Sequence, residues 1–180
     1  MRKTKRILAI DPGTREMGVA VLENGSLVYA GVETFRKLPS QEERLRQVRA
    51  TVLRLIRDLR PAVLAIEKTF VGRNHRHGAL LSVLSDEIAA LGRRNGVTVV
   101  SLASNTVKKA VAGDGLATKE EVAQAVACRF PKLMAFLPPE RTWKRRHHLN
   151  MFDAVALGIA CLAAYKGRRR GISARPIRAP

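Results

Sequence analysis

Aromatic residues are scarce in this chain: of 180 residues, one is Trp, two are Tyr and five are Phe. That is too few to lay out an extended stacking platform for single-stranded nucleic acid. Cysteine is nearly absent. Cys128 and Cys161 stand far apart, with no C-x-x-C spacing and no paired histidines at zinc-ligand distance. Neither a disulfide framework nor a zinc site is therefore suggested, and both thiols are expected to be reduced core fillers. No apolar run reads as long enough to cross a bilayer and no signal-peptide pattern opens the chain, so a cytoplasmic protein with no membrane partner is expected. Acid is also in short supply, with 15 Asp and Glu against 33 Lys and Arg and a formal net charge of +18. Such a surface repels itself until a polyanion neutralises it, which makes nucleic acid the first partner to expect.

What is present suits one buried core. Residues 5–11 predict a strand. Residues 18–23 predict a second, closed by Asn24-Gly25, a pair that tolerates positive φ at both positions of a tight hairpin turn. Residues 27–34 return as a third strand, giving an antiparallel meander. From Ser40 the apolar period lengthens: Leu45, Val48, Val52, Leu55 and Leu59 mark one face of a helix that Pro61 stops, with arginines on the solvated side. Residues 62–66, AVLAI, predict a central strand buried on both faces. A helix over 75–92 carries a large-residue stripe (Leu80, Leu84, Ile88, Leu91) and a small-residue stripe (Gly78, Ser82, Ser85, Ala89, Gly92). Residues 97–102 predict a further strand, and Ser104 caps a short helix ending at Gly113. Thr118 and Glu121 have the spacing of a capping box, which places Lys119 in a first helical turn among free backbone N–H groups, where a phosphate would be welcome. Residues 131–148 predict a basic loop before a last helix over 151–165. The stretch 166–180 has too little apolar material to pack, so the expected division is one domain over 1–165 and a basic, disordered tail.

Three acids stand out against this basic background. Asp11 and Glu67 each close a predicted buried strand, and Asp153 interrupts an apolar helix. Phosphodiester hydrolysis needs an activated water, neutralised charge at phosphorus and a stabilised leaving oxygen, which two divalent cations about 4 Å apart supply when several carboxylates converge from separate elements. Two of the three also have a plainer explanation: Asp11-Pro-Gly is a turn sequence, and Asn150-x-x-Asp153 is a helix-start pairing.

The segments IDPGTREMG, AIEKTF at 65–70, TVKKAVAGDGLATKEEV at 106–122 and DAVALGIA at 153–160, in this order, resemble the RuvC family of Holliday junction resolvases in the ribonuclease H-like superfamily. The resemblance runs from about residue 6 to 165. It implies an α/β fold of ribonuclease H type, with a mixed five-stranded sheet, the first three strands antiparallel, and helices on both faces. It implies a homodimeric crossover junction endodeoxyribonuclease that makes paired symmetric nicks in a four-way DNA junction using two Mg²⁺ per site, with Mn²⁺ as a substitute. Asp11, Glu67 and Asp153 would hold the metal. Lys119 would stabilise charge at the scissile phosphate, and Lys108 would meet DNA phosphates. Phe70 would wedge between bases, with Arg73, Arg76 and Lys109 as further DNA contacts. A branch-migration helicase is a further partner to test for. One position departs from the family pattern: the residue three before the last Asp, usually an acid or a His, is Asn150. Either Asn150 or His148, with His147 beside it, is expected to complete the metal site, or the site is weakened. Two other readings stay open at this point, a related nuclease acting on RNA–DNA hybrids or structured RNA, and a branched-DNA binder that does not cleave.

Overall fold

Four consecutive apolar residues, 7–10, each 3% exposed or less, put the first strand at the centre of the molecule rather than at an edge. The computed structural model describes residues 6–35, 40–68, 76–137 and 145–172. In chain order these form β1 (Arg6–Asp11), β2 (Glu16–Glu23), β3 (Ser26–Thr34), α1 (Gln41–Leu59), β4 (Val63–Glu67), α2 (Arg76–Arg94), β5 (Thr98–Leu102), α3 (Ser104–Ala112), α4 (Lys119–Arg129), a 3₁₀ turn over Pro131–Phe136, and α5 (Arg145–Ile172). The strands make one five-stranded sheet in the order β3-β2-β1-β4-β5. β1 pairs antiparallel with β2, and β2 with β3, while β4 joins β1 and β5 joins β4 in parallel. The hairpin turn at Asn24-Gly25 has φ of 54° and 94°, the left-handed pair its sequence predicts.

Side-chain alternation along the strands splits the core in two. Leu8, Ile10, Val19 and Val21 point to α1 and α2, where Val48, Val52, Leu84 and Ile88 meet them. Ala9, Ala20, Leu22 and Ala65 point to the other face, where α3, α4 and α5 pack. The arginines of α1 are not all idle on its solvated side: Arg49 bonds Glu87 of α2 at 2.6 Å and Arg54 bonds Glu33 of β3 at 2.9 Å. The small-residue stripe of α2 is partly consumed within the chain, since Gly92 lies where a Cβ would meet Leu64 and Val99, and Ser85 and Ala89 are buried.

α5 is the helix that the sequence reading underestimates. It begins at Arg145 and runs to Ile172, so residues 145–150 are helix rather than loop and residues 166–172 continue it rather than starting a disordered tail. Lys and Arg are good helix formers, which lets a buried helix run on past its last apolar turn. The stretch His148–Tyr165 is long and apolar enough to cross a membrane, against expectation, but it is mostly buried against the sheet and the α3 and α4 helices. Cys161 is a core residue whose thiol is pushed up to about 11 by burial; Cys128, expected in the core, is exposed on α4.

Candidate active site

β1 and β4 are parallel neighbours, so their C-terminal ends deliver Asp11 and Glu67 side by side. α5 crosses this end of the sheet at very short range. A Cβ on Gly18, the β2 residue paired with Asp11, would overlap the backbone oxygen of Asn150. Only glycine permits that approach. Ala154 and Gly158 keep α5 close further along, Gly158 lying where a Cβ would meet Leu22. Asp153, one residue before Ala154, thereby reaches the site. α3 and α4 add Lys108 and Lys119 from the same face.

Asp11, Glu67, Asp153, Asn150, Lys108 and Lys119 line one pocket of about 340 Å³. This is room for a phosphate with several waters or ions, each water taking about 30 Å³. The sequence expectation that Asp11, Glu67 and Asp153 converge therefore holds in space. Between the two adjacent lysines, Lys108 faces this pocket, whereas Lys109 lines a separate shallow hollow with Asn105 and Thr106. Between the two candidates for the fourth ligand, Asn150 lines the pocket, and the ring of His148 packs against Phe136 with centroids 5.7 Å apart. Phe70 and Arg73 lie outside the described residues. Arg76 is the first residue of α2.

The electrostatics of the pocket are those of acids held together against their repulsion. Burial, then the charges of Asp153 and Glu67, hold the Asp11 carboxyl well above the usual carboxylate range, with Lys119 pulling the other way. Burial likewise raises Glu67, partly offset by a hydrogen bond from the Ser104 hydroxyl. Lys119 Nζ donates to Asp153 Oδ2 at 2.5 Å. Burial disfavours the Lys119 ammonium, but Asp153, Asp11 and Glu67 outweigh it and its pKa is raised. Among the described residues, no three His, Cys, Asp or Glu side chains close into a tight metal cluster. Lys119 holds Asp153 in an ion pair. The donor set nonetheless fits a hard divalent cation: it is all oxygen, three carboxylates with an amide oxygen available, gathered in one pocket.

Three contributors escape the sequence pattern. Ser104 reads as a helix cap, but the cap position is Ala103, and the Ser104 hydroxyl serves Glu67 instead. Gly18 reads as a strand residue, and its partner on α5 is invisible in sequence. Glu16, at the start of β2, accepts a hydrogen bond from Asn150 Nδ2 at 3.2 Å. The capping box, by contrast, forms as its spacing predicts: Thr118 N donates to Glu121 Oε2 at 2.7 Å, and Glu121 N to Thr118 Oγ1 at 3.2 Å.

A sheet of this order, with acids at the ends of its two central strands and a third on the C-terminal helix, defines a nuclease of the ribonuclease H-like class. The family model of crossover junction endodeoxyribonuclease RuvC matches residues 7–160. The chain belongs to the RuvC family. It is 32% identical to the crossover junction endodeoxyribonuclease RuvC of Hydrogenovibrio crunogenus over 126 residues, covering 68% of this chain and 73% of that protein. It is 30% identical to that of Pelodictyon phaeoclathratiforme over 170 residues, covering 91% and 82%. Among solved structures, Thermus thermophilus RuvC in complex with Holliday junction substrate superposes with a TM-score of 0.71 at 25% identity, covering 91% of this chain and 96% of that one. The yeast mitochondrial Holliday junction resolvase Ydc2, at 13% identity and a TM-score of 0.65, shares the fold.

Proposed function

We propose that this chain resolves four-way DNA junctions, hydrolysing one phosphodiester in each of two symmetry-related strands to leave 5′-phosphates, as a cytoplasmic enzyme of recombination and repair. The observation that carries the reading is the convergence of Asp11, Glu67 and Asp153 with Lys108 and Lys119 in one pocket of a RuvC-family chain. RuvC-family enzymes are metal-dependent nucleases. Here Asp11, Glu67, Asp153 and Asn150 would hold divalent cations, two Mg²⁺ per site with Mn²⁺ able to substitute, which activate water and neutralise charge on the phosphate.

The rest of the work falls to the chain. Lys119 sits in the first turn of α4, so its ammonium and the free backbone N–H groups there approach the phosphate together. The Lys119 ammonium, held on Asp153 in this pocket, is placed where it could also meet charge developing on the phosphate oxygens. Lys108 adds a phosphate contact that positions the strand and carries no sequence information. Phe70 is proposed as the wedge that unstacks bases at the crossover, with Arg73, Arg76 and Lys109 as outlying DNA contacts. A homodimer places two such sites on a near-twofold junction. The portion of α2 not consumed by the sheet, including half-exposed Val83, is the proposed contact.

The test is cleavage of a synthetic four-way junction in Mg²⁺ or Mn²⁺ by the parent and by Asp11→Asn. Paired symmetric nicks from the parent, a loss on the order of a thousandfold or more in the variant and retained junction binding are expected. Cleavage that survives the substitution, or a preference for RNA–DNA hybrid, would overturn the assignment.

A further inference from the structure

The position opposite Asp11 in the site is an amide, and an amide has two faces with opposite chemistry. Asn150 offers Oδ1 as an acceptor or metal ligand and Nδ2 as a donor that repels cations. Free rotation about its last torsion would present the wrong face as often as the right one, and a neutral amide that toggles is a poor ligand. Here the choice is made by Glu16. Its carboxylate, an obligate acceptor when ionised, takes Asn150 Nδ2 at 3.2 Å, and this leaves Oδ1 as the remaining polar atom of a side chain that lines the pocket. The contact spans 134 residues of sequence and is partly buried.

Both residues sit on regular elements. Glu16 is the first residue of β2, held in register against Thr34 of β3. Asn150 lies on α5 where its backbone oxygen rests on Gly18, two residues along the same strand. One strand therefore fixes the amide twice, through its main chain at Gly18 and through its side chain at Glu16. A hydrogen bond to an anion also polarises the amide and places more negative charge on its oxygen. Holding the far side of a ligand by a carboxylate is the way ligands are commonly oriented around metals.

We propose that Glu16 is a positioning residue that converts Asn150 into an oxygen ligand of the metal site, supplying through the amide the negative charge that a carboxylate at position 150 would supply directly. This rests on the metal-dependent reading above and deepens it. Glu16 acts through the amide.

The experiment measures binding of Mn²⁺ alone to the full chain, without DNA, by calorimetry, alongside metal-free melting and junction cleavage. Glu16→Leu is expected to weaken Mn²⁺ binding about tenfold, the lower end of what removing a ligand's hydrogen-bonding partner does. Asn150→Leu weakens it at least as much, and the double variant is no worse than Asn150→Leu alone. The decisive arm is Asn150→Asp. An aspartate has no donor face to turn away, so in that background Glu16→Leu no longer weakens Mn²⁺ binding and relieves the contact of two carboxylates. A residue that only stabilises the fold would weaken binding in both backgrounds, and that result overturns the proposal, as does unchanged Mn²⁺ affinity in Glu16→Leu. Should Glu16→Leu fold poorly, Glu16→Gln carries the same comparison. It keeps size and an acceptor oxygen and gives up the charge, so the expected result is a smaller loss, present in the parent background and absent in the Asn150→Asp background. No loss in either background overturns the proposal. A parent that binds no Mn²⁺ overturns the metal reading and this one together. A parent that binds and cleaves, with Glu16 variants indistinguishable from it, overturns this one alone.

Discussion

The two ends of the β1–β2 ladder are built on opposite principles. At one end Arg6 faces Glu23 across the strands, opposite charges in register, with Arg6 bonding Glu23 at 3.0 Å and the Leu59 carbonyl at 2.6 Å. At the other end Asp11 faces Gly18, a partner with no side chain, and the space so released admits α5 with Asn150 and Asp153. One end neutralises its charge locally. The other gathers three acids with two lysines, one of them paired with Asp153, in one pocket, which is where chemistry on a polyanion becomes possible. The same strand, six residues long, thus ends in a structural pair and in a reactive one.

The sharpest way to break that contrast is to remove, of the two lysines at the reactive end, the one paired with an acid. Lys119→Met deletes the ion pair to Asp153 and leaves three acids facing one another. Junction cleavage is expected to fall about a hundredfold, the scale of losing one group aimed at transition-state charge, with a smaller loss of junction binding. Rates of single-turnover cleavage and a binding titration in a metal chelator separate the two. Equal losses in both would make Lys119 a general DNA contact instead.

Gly18→Ala attacks the geometry rather than the charge. A methyl group driven into the Asn150 backbone oxygen forces the start of α5 off the sheet. Overpacking of this kind costs about 1–3 kcal/mol, and the cleavage rate is expected to drop with it because Asp153 rides on the displaced helix. Denaturant unfolding measures the first and junction cleavage the second. A fully stable variant with normal cleavage would show that α5 adjusts without consequence.

How much of the fold and site is legible in the sequence follows from what each feature depends on. The strands, the Asn24-Gly25 hairpin, α1 and the Thr118–Glu121 box depend on near neighbours in sequence, and their residues declare them. Asp11, Glu67 and Asp153 can be singled out because acids are rare in apolar company here. The beginning and end of α5 cannot, since its basic flanks look like loop and its helicity is set by packing over the sheet. Ser104 is misread as a cap because Ser is a good cap and also a good hydrogen-bond donor to a carboxylate, and sequence does not say which neighbour it finds. Glu16 and Gly18 are illegible for a related reason: both meet Asn150, more than 130 residues away.

The raised carboxyls make the contrast visible in pH dependence. A carboxyl whose folded pKa lies above its unfolded value binds protons more tightly in the folded state, so the unfolding free energy falls as pH rises between the two values. Asp11 and Glu67 therefore contribute stability below the ordinary carboxylate range and lose it as pH climbs through their raised values. Melting of the metal-free chain is expected to show this fall, and Asp11→Asn to flatten it. Saturating Mn²⁺ should reverse it, because cations bind the ionised acids. Cleavage should rise over the same interval as the acids ionise. A metal-free profile that Asp11→Asn leaves unaltered would mean that other groups set it.

At the structural end the expected effects are small, and their smallness is informative. Arg6 and Glu23 keep 33% and 26% of their side chains exposed, so water screens the pair, and Arg6→Ala is expected to cost about 0.5–1 kcal/mol for the pair and about as much again for the lost bond to the Leu59 carbonyl. Its cleavage rate per folded molecule should match the parent, since nothing at that end reaches the pocket. Opposite charges placed in register across two strands give back little free energy because little was spent in holding them. The acids at the far end are costly to hold, and only there does substitution by an isosteric neutral residue stabilise the metal-free chain while removing its reaction. Chemical unfolding of Arg6→Ala beside Asp11→Asn checks this directly, and a variant at Arg6 that lost cleavage without losing stability would join the two ends that the sheet keeps apart.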